Sequence, residues 1–283
     1  MTKKTPNPNE LETLDRGTIS RFITAIENRE PKALKDLKNY FSAESLRRCI
    51  CFTGPAGVGK SSLISELLPI AVEERSIAWV ACDPSSPETG GSLLGDRIRS
   101  SGQNISERAF IRSMSTRGAE AFSLSIRDVE VYLENFFEQV WVETAGSGQT
   151  QSETARLSAL TALVLQPETG DEIQWMKAGV REWADIFVIN KSDLPGAELM
   201  KQSLMEFGAS EDSIFLVSTK DKTGLEKLWK SLKIHLQKLD WPSRREILHT
   251  SLARSLFLER EMKKLKTKFN GLSAKLISQP YSA

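Results

Sequence analysis

The stretch GPAGVGKS at residues 54–61 decides the fold. It directly follows the apolar run CICFT at 49–53 and opens a segment with helical periodicity. It matches the pattern G-x-x-x-x-G-K-[ST], in which glycines let successive backbone N–H groups turn toward a phosphate. A strand, a glycine-rich loop and a helix in this order predict a P-loop that binds a nucleoside triphosphate at the helix N-terminus.

Each part of this loop has an expected contact with the nucleotide. We expect the Lys60 ammonium to reach the β and γ oxygens and the Ser61 hydroxyl to bind magnesium. The residues predicted to surround the phosphates are Gly54, Pro55, Ala56, Gly57, Val58, Gly59, Lys60, Ser61 and Ser62.

Further apolar runs follow, separated by helical segments: IAWVA (77–81), AFIR (109–112), VWVE (140–143), LTALVL (160–165), DIFVIN (185–190) and SIFLVS (213–218). Strands that are apolar throughout and alternate with helices are typical of a parallel sheet covered on both faces. The sequence therefore predicts an α/β fold, a doubly wound, mostly parallel sheet over residues 48–238, whose ligands bind at the carboxyl ends of the strands.

Helical segments flank this domain. In the N-terminal extension, residues 1–47, one helical face carries Ile19, Phe22, Ile23 and Ile26, and Pro31 opens a second helix with Leu34, Leu37 and Phe41 on its stripe. In residues 239–283, the segment 245–269 has apolar residues at near-helical spacing among several lysines. Periodicity alone leaves open whether that helix packs on its own domain or forms a dimerisation arm.

The motif NKSD, which includes Asn190, Lys191 and Asp193, predicts which base the nucleotide carries. A fixed carboxylate accepts hydrogen bonds from N1–H and N2 of guanine and finds no such donors on adenine, so the motif favours GTP. VSTK closes the next strand and brings Ser218, Thr219 and Lys220 to the expected base-contacting loop.

Three carboxylates are candidates for a magnesium site beside Ser61. Asp83 ends the second strand and begins the stretch DPSSPETGGSLLGDRIR at 83–99. Asp96 ends the loop of small residues within this stretch, and Glu143 ends VWVE. Magnesium takes one or two carboxylates together with phosphate oxygens and water. We expect the 83–99 loop to order on metal and γ-phosphate, as a GTPase switch does.

Two later stretches occupy positions expected of γ-phosphate sensors. In ETAGSGQTQSE (143–153), Gly146 offers a backbone N–H to the γ-phosphate, and Gln149, Gln151 or Glu153 is the candidate for orienting water. Lys60, Glu143, Gly146 and Gln149 form the predicted catalytic set. TGDEIQWMKAG (169–179) carries Asp171, Glu172 and Lys177, and its composition fits either a switch or a capped amphipathic helix.

Composition narrows the choice of partners. Lys and Arg number 38 against 37 Asp and Glu, for a net charge of +1, so no global field favours nucleic acid. The three cysteines lie in apolar runs, which predicts structural thiols and a reducing, cytoplasmic compartment. No window approaches the length of a membrane span, and the N-terminus lacks the apolar core of a leader.

Together the motifs resemble the MeaB/ArgK-type (methylmalonic aciduria type A protein-like) P-loop GTPases, from the N-terminal helices to about residue 235. The most specific likeness is DPSSPETGGSLLGDRIR, and GDEIQ and the Glu-Thr after VWV add to it. The resemblance implies a homodimeric, magnesium-dependent GTPase with slow turnover that a partner stimulates. It also implies that the partner is an adenosylcobalamin-dependent acyl-CoA mutase, similar to methylmalonyl-CoA mutase. The GTPase is then expected to gate the loading of cofactor into this mutase or to protect the mutase from inactivation.

The sequence departs from the family pattern where a partner is contacted. The second switch is two residues longer than the family's usual form, the segment after FIR reads SMSTRGAEAF, and Lys177-Ala178 replaces a Lys-Lys pair. These departures favour a client related to, but distinct from, methylmalonyl-CoA mutase. The alternatives are a metallochaperone GTPase for nickel or zinc enzymes, which needs exposed Cys and His ligands, and a P-loop kinase, which needs an acceptor site. Arg97, Arg99 and Arg117 are alternative candidates for an arginine finger.

Overall fold

The computed structural model describes residues 15–42, 45–83, 107–115, 122–145, 155, 158–167 and 184–250. The helices are α1 (Arg16–Glu27), α2 (Pro31–Leu37), α3 (Lys60–Glu74), α4 (Phe122–Leu133), α5 (Ala197–Glu206), α6 (Leu225–Lys238) and α7 (241–250). The strands are β1 (Cys49–Thr53), β2 (Ile77–Asp83), β3 (Ala109–Ser115), β4 (Gln139–Glu143), β5 (Leu160–Leu165), β6 (Ile186–Ile189) and β7 (Ile214–Leu216).

The strands form one sheet in the order β3-β2-β4-β1-β5-β6-β7. All of its pairings are parallel. The predicted doubly wound α/β fold is thus confirmed, with β2 and β3 extending beyond their apolar runs and β7 falling short of its run. Because β4 and β5 flank the central β1 on opposite sides, their connections leave a crevice above the carboxyl end of β1.

Alternation along β1 explains the buried cysteines. Ile50 and Phe52 point into a core between the sheet and helices α3 and α6, while Cys49 and Cys51 point to the opposite face. Both thiols are fully buried, and burial raises their pKa well above the ordinary value. The prediction of structural cysteines agrees with this burial.

The N-terminal helices cover the face of the sheet that carries α4. Ile19, Ile23 and Ile26 of α1 are buried, as their spacing predicts. The expectation that Phe41 lies on the α2 stripe is wrong, because α2 ends at Leu37 and a 3-10 turn follows, leaving Phe41 42% exposed. Tyr40 turns inward instead, with its ring 4.9 Å from that of Tyr132.

The C-terminal helix begins four residues before the predicted start, at Trp241. Asp240 precedes it, and its carboxylate accepts a hydrogen bond of 2.6 Å from the Ser243 hydroxyl. Trp241 and Leu248 are buried in the core shared with α1 and α4, so this part of the helix packs on its own domain. The remainder of the predicted helix lies outside the described residues. None of the helices described is both long enough and apolar enough to cross a bilayer.

Candidate nucleotide site

The P-loop lies between β1 and α3, as its sequence requires. Gly59 precedes α3 with φ at +89°, a left-handed conformation that favours glycine. A Cβ at this position would lie 2.6 Å from the amide nitrogen of Asn190. Glycine is therefore needed here both for its backbone conformation and for the close approach of a side chain from the other half of the site.

Lys60 is held in the loop by the loop's own carbonyls. Its side-chain Nζ donates hydrogen bonds of 2.8 Å to the carbonyl oxygens of both Gly54 and Pro55, and the residue is only 7% exposed. Burial lowers the pKa of Lys60, and the nearby carboxylate of Glu143 counteracts that effect. An ammonium group held in a covered loop next to backbone N–H groups is suited to binding a phosphate oxygen.

Glu143 is brought to the P-loop by strand register. It lies opposite Phe52 on β1 and opposite Ala81 on β2, and its carboxylate accepts a hydrogen bond from the Ser61 hydroxyl. Asp83 ends β2, two residues beyond the position that faces Glu143. The structure thus brings two of the predicted metal ligands into contact and places the backbone of a third on the adjacent strand.

The chemistry of these donors suits a hard cation. A hydroxyl and a carboxylate provide the oxygen ligands that Mg²⁺ prefers, with the remaining positions left to phosphate and water. Within the described residues, no group of three or more His, Cys, Asp and Glu side chains is placed to hold a metal on its own. The site fits a cation that shares its ligands with a bound nucleotide.

Asn190 ties the predicted base site to the predicted phosphate site. It follows β6 directly, is fully buried, and donates from its side-chain amide to the carbonyl oxygen of Val58 at 2.9 Å. The next residue, Lys191, reaches the same loop, since its Nζ donates to the Gly57 carbonyl oxygen at 3.0 Å. The first two residues of NKSD therefore support the P-loop from the side.

Asp193 is fixed by the following loop. Its carboxylate accepts a hydrogen bond of 2.9 Å from the Ser218 hydroxyl, and the Nζ of Lys220 lies 3.6 Å away. Chiefly because of the Ser218 bond, the pKa of Asp193 is lowered, so the group stays ionised. A carboxylate oriented in this way is the acceptor pair that guanine recognition requires. Thr219 lies in the same loop, between these two partners.

Sequence reasoning missed the residues that close this loop. The backbone N–H of Asp221 donates to the Ser218 hydroxyl oxygen at 3.1 Å, and Ser218 and Thr223 exchange two backbone hydrogen bonds. Lys222 forms an ion pair of 3.0 Å with Glu66 of α3. The run DKTG after VSTK, rich in turn-forming residues, is the signal that points to this closure.

Several predicted site residues lie outside the described residues. These are Asp96, Gly146, Gln149, Gln151, Glu153, Asp171, Glu172 and Lys177, together with the arginine-finger candidates Arg97, Arg99 and Arg117. Their predicted roles stay predictions.

Known proteins resemble this chain in sequence or in fold. A putative GTPase of Pyrococcus abyssi is 37% identical over 80% of this chain and 74% of its own length. A fused isobutyryl-CoA mutase of Geobacillus kaustophilus is 34% identical over 70% of this chain, which corresponds to 20% of that longer protein. The crystal structure of a LAO/AO transport system kinase shares the fold, with a TM-score of 0.65 and 22% identity over 94% of this chain and 88% of that one.

The family model described as methylmalonyl-CoA mutase-associated GTPase MeaB matches residues 19–269. The match spans the P-loop, the NKSD loop and the helices on either side of the sheet. The chain therefore belongs to the MeaB family of P-loop GTPases.

Proposed function

We propose that this protein binds GTP with Mg²⁺, hydrolyses it to GDP and phosphate, and acts as a chaperone of an adenosylcobalamin-dependent acyl-CoA mutase. The observation that carries the GTPase part is the hydrogen bond from Asn190 to Val58, because it joins a guanine-reading loop to a phosphate-binding loop in one site. The mutase part is supported by the family and by the relative in which a similar region is part of a mutase chain.

The roles of the site residues follow from their contacts. Backbone N–H groups of residues 56–59 and of the start of α3 bind the phosphates, and Lys60 exchanges its two carbonyl partners for β and γ oxygens. Ser61 and Glu143, with Asp83 and Asp96, are the proposed magnesium ligands, and the ion supplies charge neutralisation on the phosphates when it is bound. Gly146 and Gln149 are proposed to position the γ-phosphate and the attacking water.

Base recognition is assigned to the loop after β6 and the loop after β7. Asp193 accepts from guanine while Ser218 and Lys220 hold it in place, and Lys191 covers the ring. Ionised Asp193 leaves an unsatisfied acceptor when adenine occupies the site, which is the source of the preference for GTP.

We also propose that the protein hydrolyses GTP slowly by itself and that the client mutase accelerates this hydrolysis. The arginine-finger candidates Arg97, Arg99 and Arg117 lie outside the described residues, and we propose that the client, or one of these arginines once the client is bound, supplies the positive charge that stabilises the transition state. We also propose a homodimer and a cytoplasmic location, the latter supported by three buried cysteines that form no disulfide bond.

The buried thiols also weigh against a metallochaperone role. Cys49, Cys51 and Cys82 are covered by core side chains, and His235 is bonded to Ser231 on its own helix, so none of these side chains is presented as a transferable ligand set.

The test is a capture experiment on the full chain, immobilised in parallel with GDP and with a non-hydrolysable GTP analogue and incubated with lysate from its own organism. We expect a cobalamin-dependent mutase subunit to be retained in a nucleotide-dependent manner and, once purified, to accelerate GTP turnover. Lys60→Ala is the control, because it removes the phosphate contact, and Lys230→Ala, at an exposed position on α6, is the matched surface variant. Capture of nickel- or zinc-enzyme maturation factors in place of a mutase would reject the client assignment.

A further inference from the structure

Arg244 of α7 contacts the residues at the amino ends of β5 and β6. The nucleotide site lies at the opposite, carboxyl ends of the strands. The Nη2 of Arg244 donates to the Asp185 carboxylate at 2.9 Å and to the Ser158 carbonyl oxygen at 3.3 Å. Only 12% of its side chain is exposed. A single guanidinium therefore joins the C-terminal helix to the residues that precede β5 and β6.

The Asp185 carboxylate is part of the sheet as well as of this ion pair. The oxygen that faces Arg244 also accepts the backbone N–H of Thr161 at 2.7 Å, and the Asp185 N–H donates to the Thr161 carbonyl oxygen at 2.9 Å. Asp185 thus fixes the start of β6 against β5. Burial raises the pKa of Asp185, and the charge of Arg244 opposes that rise, so the arginine supports the ionised form of a covered carboxylate.

Ser158 extends the contacts of Arg244 to a third element. Its hydroxyl donates to the Glu130 carboxylate of α4 at 2.9 Å, and its backbone N–H lies 3.3 Å from the Ala155 carbonyl oxygen. Arg244 is consequently bonded, directly or through one residue, to α4, β5 and β6. This is a larger set of elements than an isolated surface ion pair would join.

The two strands that Arg244 holds lead directly to the nucleotide site. Asp185 and Asn190 lie on either side of β6, five residues and about 17 Å apart at the rise of an extended chain. At the far end, the Asn190 N–H donates to the Leu165 carbonyl oxygen of β5, and its side chain holds Val58. Each of the two strands is hydrogen-bonded to a neighbouring strand on both sides. A shift of the strand at its amino end is therefore transmitted to its carboxyl end.

We infer that Arg244 is a positioning residue that couples helix α7 to the nucleotide site through β5 and β6. Occupation of the site by nucleotide then changes the stability of residues 241–250. By linkage, whatever binds that helix changes nucleotide affinity by the same factor. This inference rests on the proposed function only in requiring that the chain binds a guanine nucleotide.

Amide hydrogen exchange of the full chain, with and without saturating GDP, tests the coupling. In the parent, GDP should slow exchange at residues 241–250 by about threefold or more, the range expected for a residue in a coupling network. Arg244→Gln should abolish this difference. Arg245→Gln is the matched control, since Arg245 is the next residue on the same helix and its side chain forms no hydrogen bond or ion pair in the part of the chain that the structure describes. This variant should keep the difference.

A second variant protects the test against a folding defect in Arg244→Gln. Asp185→Asn removes the charge that Arg244 pairs with, yet keeps an oxygen that accepts from Thr161 and leaves no buried carboxylate. It too should abolish the GDP-dependent difference. A purely structural ion pair would alter exchange equally with and without GDP, so it would not produce this result.

The outcomes separate this inference from the proposed function. If calorimetry detects no GDP or GTP binding by the parent, the proposed function fails and the inference fails with it. If the parent binds nucleotide but residues 241–250 do not respond, or if a folded Arg244→Gln or Asp185→Asn variant still responds, the coupling through Arg244 is wrong and the GTPase assignment stands.

Discussion

The side-chain amide of Asn190 donates a 2.9 Å hydrogen bond to the backbone carbonyl of Val58, which lies 132 residues earlier in the chain. Both residues are fully buried. An amide–carbonyl bond in a covered setting stabilises by about 1 kcal/mol when made and costs more when one partner is left unsatisfied. The two halves of the nucleotide site are therefore one structural unit, and a change in either half affects the other.

Gly59→Ala should destabilise the protein more than Gly57→Ala does. Both glycines have positive φ, at +89° and +82°, so alanine incurs about 1–2 kcal/mol of backbone strain at each. Only at residue 59 does the added Cβ also displace the Asn190 amide, whereas at residue 57 it meets open space. Urea unfolding should show a further loss of about 1–3 kcal/mol for Gly59→Ala. Equal free energies of unfolding for the two variants would contradict the proposed contact.

Asp193→Asn should change the base preference. The amide replaces one acceptor with a donor, so guanine loses a partner while xanthine, which has an oxygen at that position, gains one. GTP affinity should fall on the order of 100-fold, and xanthosine triphosphate should bind in its place. Competition binding measures both. Asp212→Asn is the control, because Asp212 lies in the exposed turn before β7, at the opposite end of that strand from the base-contacting loop.

Lys60→Ala should remove tight triphosphate binding. The ammonium group is placed to make charged hydrogen bonds of about 1.5–3 kcal/mol each, so the loss of two such bonds lowers GTP affinity by at least about 100-fold. Isothermal calorimetry on the full chain is the measurement. Lys230→Ala, at an exposed position on α6, should change affinity less than about twofold. Near-parental affinity in Lys60→Ala would disprove the P-loop assignment.

Glu130→Gln should alter the dependence of stability on pH. Glu130 is fully buried, and burial raises its pKa from 4.5 to about 8, with the Ser158 hydroxyl and Arg127 opposing and Glu134 reinforcing the rise. The folded chain thus keeps a proton that the unfolded chain releases above pH 4.5. This contribution to stability is complete below that pH and is lost as pH rises toward 8.

The expected loss between pH 5 and 8 is at most about 1.4 kcal/mol per pH unit. The neutral glutamine has no such dependence, so Glu130→Gln should gain stability relative to the parent as pH rises across this window. Urea unfolding at several pH values measures the difference. Glu206→Gln, at an exposed position on α5, should follow the parent; parallel curves for Glu130→Gln and the parent would show that Glu130 is ionised in the folded protein.

Local patterns in the sequence were sufficient to predict the sheet, the P-loop and the loop that carries Asp193. Glycine spacing, apolar runs and turn residues each act over a few positions, and the parallel topology then brings the carboxyl ends of the strands together. The packing of Tyr40 in place of Phe41 was not predictable, because it depends on Phe22 and Tyr132 rather than on helical periodicity.

Contacts between distant residues escaped sequence reasoning for a related reason. In the sequence, Arg244 is indistinguishable from the other polar residues near the start of an amphipathic helix. Its partners lie 86 and 59 residues earlier in the chain. No short-range pattern selects Ser158 and Asp185 among the other polar residues that precede strands. The same holds for the bond between Asn190 and Val58, since NKSD indicates base recognition but not a role in supporting the P-loop.

The packing of α1 against α4 has a consequence for synthesis on the ribosome. Phe22 meets Tyr132 with ring centroids 4.5 Å apart, and Arg29 pairs with Asp128 at 2.6 Å. At about 5–20 residues per second, the nascent α1 waits on the order of 5–20 seconds for α4 to be translated. A helix of 12 residues is marginal on its own in water, so its apolar stripe stays uncovered during that interval. A holding chaperone that covers this stripe would therefore protect α1 until α4 has been made.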